Sequence, residues 1–149
     1  MKTLKFIVKT EEEMINLGQR IGALVYPNMV ITMNGNLGAG KTTITKGIGK
    51  AMGIKRVINS PTFTIMKIYE GSLNLYHLDV YRIENSSTDF ELEEYFYMGG
   101  VSVIEWSNNI KDLIPEDKIS LEFEIQEDSS RLVVIEGPDE FIDRLESGE

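Results

Sequence analysis

Eight residues, Gly35-Asn36-Leu37-Gly38-Ala39-Gly40-Lys41-Thr42, satisfy the pattern Gly-x4-Gly-Lys-Ser/Thr, and their surroundings narrow the fold more than any other feature of the chain. Met29-Val30-Ile31-Thr32-Met33 precedes them, uncharged and mostly apolar, as a strand buried on both faces of a parallel sheet reads. Behind them Ile44, Gly47, Ile48 and Met52 recur at helical spacing. Strand, glycine-rich loop and helix in this order make a phosphate cradle. The glycines let backbone N–H groups curl around an anion, and the helix start adds unsatisfied donors and its dipole. Lys41 then reaches the β and γ phosphates, and Thr42 offers a hydroxyl to Mg²⁺. Gly47, Gly49 and Gly53 lower the propensity of this helix, so tertiary packing must hold it.

Around this unit the chain reads as a single α/β domain with a mixed sheet. Leu4 to Val8 is a short strand, and Thr10-Glu11-Glu12-Glu13 forms a capping box that opens a helix with Met14, Leu17, Ile21 and Leu24 as its core stripe. Tyr26-Pro27 marks its exit. Thr62 to Tyr69 and Leu73 to Val80 flank Glu70-Gly71-Ser72 as an antiparallel hairpin. A helix runs from about Ser87 to Tyr97, capped by Ser86 or Ser87, and Val101 to Trp106 is a further apolar strand. Leu121 to Ile125 and Arg131 to Glu136 make a second hairpin, and Pro138 to Leu145 a closing helix.

The 149 residues suit one domain, 1–149, with 42% hydrophobic and 26% charged residues, the balance of a soluble globular chain. Having no Cys and a single His, it has no disulfide, thiolate nucleophile or Cys- or His-rich metal centre. Its start is too briefly apolar for a signal peptide, and no run is long enough to span a bilayer, so a cytoplasmic protein is expected. The net charge of −9 is unevenly spread. Met14 to Tyr69 contains no acid and carries +7, whereas Glu70 to the end carries −16. That polarity suggests an anion-handling half beside an acidic half that repels phosphate unless a cation intervenes.

A phosphate loop leaves the metal's second protein ligand and the positioning of water to carboxylates at neighbouring strand ends. Asp79 and Glu105 each end an otherwise apolar strand, where an acid is costly unless paired or metal-bound. His77 shares a strand face with Asp79; it either orients that acid through a hydrogen bond or is a satisfied structural histidine. Arg82 is either an arginine finger in cis or the partner of Glu91, Glu93 and Glu94, with the salt bridge or a contact to a partner protein preferred.

Gly35 to Thr43, Ser60-Pro61-Thr62-Phe63-Thr64, Tyr76-His77-Leu78-Asp79-Val80-Tyr81-Arg82 and Ile104-Glu105-Trp106 follow one another in an order and at spacings that resemble the bacterial TsaE (YjeE) family. The resemblance covers Thr10 to about Glu136 and implies a P-loop NTPase-like three-layer sandwich, its central sheet mixed and mainly parallel, with antiparallel hairpins added. It implies a Mg-ATP hydrolase that works with the proteins TsaB and TsaD, and with tRNA through them, in making threonylcarbamoyladenosine beside the anticodon. Carried over, Gly35, Gly38, Ala39, Gly40, Lys41, Thr42 and Thr43 wrap the phosphates, and Thr42, Glu105 and Asp79 serve Mg²⁺. Asp79 is then the acid needed for hydrolysis, with Lys41 and Glu105 beside it in the catalytic set. Ser60 and Thr62 form a switch-like loop that senses the γ-phosphate. Thr10 lies near the adenine, a position its capping role also explains, and Arg131 stacks on the base or is an exposed arginine after a turn. Trp106, the sole Trp, is a core anchor or part of a partner interface. The chain departs from the family at Asn36, where Asp is frequent, and at Ser107, where Pro is common.

Two other readings stay open. A small-molecule P-loop kinase needs several lid arginines, and the chain has five arginines in all. A nucleotide-gated binding module with little turnover would share the phosphate loop. The absence of Asn-Lys-x-Asp argues against a GTPase, and a pI near 4.7 against DNA or stand-alone tRNA binding.

Overall fold

In the computed structural model, which describes residues 1–36, 38–59, 66–80 and 90–148, the uncharged run becomes β2 (Met29–Asn34) at the heart of a sheet. Its companions are β1 (Lys2–Val8), β3 (Met66–Tyr69), β4 (Leu75–Asp79), β5 (Val101–Glu105), β6 (Ile119–Ile125) and β7 (Arg131–Gly137). The sheet order is β1-β7-β6-β2-β5-β4-β3. β6, β2, β5 and β4 run parallel, which is why β2 and β5 are apolar along their length. The hairpins β3–β4 and β6–β7 are antiparallel, and β1 closes one edge against β7.

Helices cover both faces and give the three layers expected. On one face Ile31, Met33, Val103 and Leu121 pack beneath α1 (Glu11–Gly22), α2 (Lys41–Ala51) and α4 (Asp139–Ser147), whose Leu17, Ile21, Ile48 and Phe141 join that core. On the other, Val30, Leu78 and Ile104 pack with Phe96, after α3 (Phe90–Tyr95), and with Ile110 of a 3-10 segment (Ser107–Leu113). No helix among the described residues is long and apolar enough to cross a membrane.

Of the glycines that weaken α2, Gly47 earns its place at the crossing with α1, where it meets Gly18. A Cβ on Gly47 would lie 2.2 Å from the Ile15 carbonyl oxygen, and one on Gly18 2.2 Å from that of Ile44. Only hydrogen at both positions lets the two backbones approach so closely, and that packing offsets the lost propensity.

Some boundaries differ from the sequence reading. β1 begins at Lys2 rather than Leu4, because its whole length pairs with β7 and its exposed Lys2 and Lys5 suit an edge. α3 stops at Tyr95, two residues early, since bonds from Phe96 N to Glu93 O and Tyr97 N to Glu94 O tighten the chain into a turn before Gly99, whose φ is +86°. The 3-10 segment has no counterpart in the sequence reading: its residues carry no apolar period. The start of the first hairpin at Thr62, Ser60, Tyr81, Arg82 and the cap at Ser86 or Ser87 lie outside the described residues.

Candidate functional site

β2 ends at Asn34 and α2 begins at Lys41, so the glycine-rich loop spans the gap between a buried central strand and a helix N-terminus. Gly40 caps α2 with φ +108°, a left-handed conformation that favours glycine, and a Cβ there would meet Met14 Cε at 2.6 Å. No side chain caps this helix start, and its first turn holds no acid. Its donors are therefore left for an anion. Thr42 and Thr43 are half-buried at this mouth, Ala39 is buried, and Gly38 (φ +79°) is exposed with open space where a Cβ would stand.

Lys41 is 4% exposed and held from three sides. Its Nζ donates to the Gly35 carbonyl at 2.7 Å, lies 3.8 Å from Glu105 Oε1, and sits 4.1 Å from the centre of the Trp106 ring. Burial pushes the ammonium below the usual lysine range, and the Glu105 and Asp79 carboxylates pull it back. Glu105 is buried as well, and its second oxygen accepts a 2.7 Å hydrogen bond from His77 Nε2. In the β4–β5 register Asp79 stands opposite Glu105 and His77 opposite Val103, so both acids and the histidine share one face at the carboxyl ends of two parallel strands. That end of an open α/β sheet is where ligands bind.

Sequence reasoning left His77 either orienting Asp79 or standing as a satisfied structural histidine. The structure gives its Nε2 to Glu105, the residue diagonal to it on the adjacent parallel strand. Trp106, assigned to core or interface, is half-buried against the second core and also covers the Lys41 ammonium. It takes φ +62°, unusual for a residue other than glycine, and its N–H donates to the Met33 carbonyl at 3.1 Å, anchoring the turn to the strand that launches the phosphate loop. Ser107, at the family's proline position, is bonded to Asn34, whose Nδ2 reaches Ser107 Oγ at 3.1 Å and Glu122 Oε1 at 3.3 Å. Nothing in the sequence marked this link between loop root and strand end.

Beside the loop is a cavity of about 230 Å³ lined by Thr10, Gly38, Gly40, Thr43, Ser129 and Arg131, among others. Thr10 Oγ1 accepts from Glu13 N at 3.1 Å, the capping bond expected, although Glu13 returns its carboxylate to Lys9 N at 3.0 Å rather than to Thr10 N. Arg131 Nη2 donates to the Gly38 carbonyl at 3.2 Å, and Nη1 to Ser129 O. Thr10 and Arg131, from opposite ends of the chain, thus flank one opening next to the phosphate loop. Ser60 and Thr62 lie outside the described residues.

The donors suit Mg²⁺. Thr42, Asp79 and Glu105 offer hard oxygens, whereas no group of three or more His, Cys, Asp or Glu gathers among the described residues. Mg²⁺ needs no such cage: it takes one or two carboxylates and completes its shell with water and substrate phosphate. The Lys41 ammonium beside Glu105 stands in for a cation there.

Comparison with known proteins agrees with the geometry. A model of the family described as "Threonylcarbamoyl adenosine biosynthesis protein TsaE" matches residues 8–133. The chain is 45% identical over 122 residues to the tRNA threonylcarbamoyladenosine biosynthesis protein TsaE of Bacillus subtilis, covering 81% of this chain and 77% of that protein. It is 32% identical over 134 residues to the protein of the same name from Treponema pallidum, covering 89% and 99%. The fold superposes on the crystal structure of Bacillus subtilis YdiB with a TM-score of 0.85 at 34% identity, over 99% of this chain and 94% of that one. A glycine-rich loop launched from a buried parallel strand, two strand-end acids beside it, and a family match over most of the length lead to one conclusion: the chain belongs to the TsaE family.

Proposed function

We propose that the chain is a Mg-ATP-dependent hydrolase of tRNA threonylcarbamoyladenosine biosynthesis. Its 149 residues act as one domain, and its turnover cycles a cytoplasmic complex of TsaB and TsaD through which tRNA is reached. One observation carries the reading: Lys41, Asp79 and Glu105 converge at the mouth of a phosphate loop whose helix start is uncapped. Phosphoryl transfer to water asks a protein chiefly for positioning and charge stabilisation. In this reading the loop's N–H groups and Lys41 hold the β and γ phosphates, exchanging the Gly35 carbonyl for phosphate oxygen. Thr42 and Glu105, with Asp79, hold Mg²⁺, which when bound neutralises charge developing on the phosphate oxygens. Asp79 orders the attacking water. Ser60 and Thr62 respond to the γ-phosphate, and Thr10 and Arg131 border the base.

The test is ATP hydrolysis by the purified chain with TsaB, TsaD and tRNA. Phosphate release should exceed that of Lys41→Ala by about a hundredfold or more, the scale of losing a transition-state charge contact; equal rates would refute the hydrolase. Radiolabel moving from the γ-position to a small metabolite would assign a kinase instead. A pull-down that differs between ATP and ADP with no turnover would assign a nucleotide-gated module.

A further inference from the structure

The geometry points to His77 as the residue that fixes the Glu105 carboxylate for Mg²⁺, a positioning residue one step removed from the nucleotide; this rests on the ATPase reading above. The ring is 0% exposed and makes one polar contact among the described residues, the 2.7 Å bond to Glu105 Oε2. An ionised carboxylate only accepts, so Nε2 is the donor in this bond and carries a hydrogen. The other ring nitrogen, Nδ1, is buried without a partner among the described residues. A histidine serving only to fill space carries a desolvation penalty that Leu or Met would avoid. Here the penalty is retained, and what the ring gains in return is the orientation of one carboxylate.

Glu105 has two fixed nitrogen neighbours, His77 on Oε2 and Lys41 on Oε1. Lys41 has phosphates to serve in the loaded site. His77 has no other polar partner among the described residues, so its bond is the one that goes on holding the carboxylate. Opposite Val103, it reaches Glu105 diagonally, and the place directly across from Glu105 belongs to Asp79. Partners of metal-binding carboxylates of this kind change metal affinity by about ten- to a hundredfold when removed.

The experiment titrates Mg²⁺ into the protein with a non-hydrolysable ATP analogue, read by the fluorescence of Trp106 and repeated in EDTA for metal-free affinity. His77→Leu should raise the Mg²⁺ half-saturation about ten- to a hundredfold while metal-free nucleotide affinity stays within about twofold. His77→Gln, whose amide N–H extends to the same carboxylate, should recover most of the loss; His77→Asn, one methylene shorter, should not. In a Glu105→Gln background His77→Leu should add nothing. An unchanged half-saturation in His77→Leu, an equal loss in EDTA, or equal behaviour of the Gln and Asn variants overturns the proposal. The Gln–Asn pair decides the matter should the Leu variant fail to fold. A parent chain without metal-dependent nucleotide binding would overturn the ATPase reading and this inference together, whereas a binding parent with an indifferent His77→Leu removes this inference alone.

Discussion

Lys41 shows how a functional side chain is held against its own solvation. Burial pushes its pKa below the ordinary 10.5, with Glu105 and Asp79 opposing. A lysine with a folded-state pKa below its unfolded value binds its proton less tightly when folded, so it weakens the fold while charged and the deficit shrinks as pH rises towards 10.5. Without nucleotide, the stability of Lys41→Met relative to the parent should therefore fall as pH climbs through the alkaline range, because the parent recovers a deficit that Met does not carry. Urea denaturation at several pH values measures this, and a stability difference that stays constant or moves the other way with pH would contradict it. Under the proposed function ATP should raise the melting temperature of the parent, and this variant should lose that rise. Asp79→Ala tests a different contact: nucleotide binding should persist, because the phosphate loop is separate, while turnover falls about a hundredfold or more. Loss of binding by that variant would count against its role. The place of Gly35 to Thr43 between a buried strand and a helix start was legible because the motif is contiguous, and that of Asp79 and Glu105 at neighbouring strand ends because acids ending apolar strands stand out. The His77 bond was not legible, since its partner lies 28 residues away on another strand.

Among the elements, α2 has the least local support and the most demanding packing. Gly47→Ala drives a methyl towards the Ile15 carbonyl and should destabilise the protein by about 1–3 kcal/mol, the range for overpacking. Lys50→Ala, exposed on the same helix, should stay within about 0.5 kcal/mol. Equal urea midpoints for the two variants would contradict the tight crossing. Periodicity was enough for α1 and α4, where a buried stripe recurs at helical intervals, and turn chemistry for the two hairpins. It failed for the 3-10 segment, whose only buried apolar residue is Ile110. That segment follows from the turn at Trp106, whose backbone is tied to Met33, rather than from any local preference.

For the whole molecule, the acid-free stretch from Met14 to Tyr69 holds β2, the loop and α2, where anionic phosphates would otherwise meet carboxylates. The acidic half supplies Glu105 from β5, next to β2 in the sheet, and Asp79 from β4, one strand further out, so under the proposed function the charge split becomes two sides of one site. The remaining acid has a partner surface as its proposed use. Reversing Glu93 and Glu94 to Lys should weaken capture of TsaB and TsaD, more at low salt than at high, because exposed charges are screened over about a Debye length; unchanged capture would remove that role. By itself the sequence determined the α/β class, the hairpins, the glycine-rich loop between strand and helix and the strand-end places of the two acids, all properties of contiguous segments whose hydropathy period and turn residues act locally. Only the tertiary structure decided that β1 closes the edge against β7, that Arg131 meets Gly38 across 93 residues, that Trp106 covers Lys41, and that His77 serves Glu105. Each of those contacts depends on which strands lie side by side, and strand order is set by the packing of helices on both faces, which no local pattern encodes.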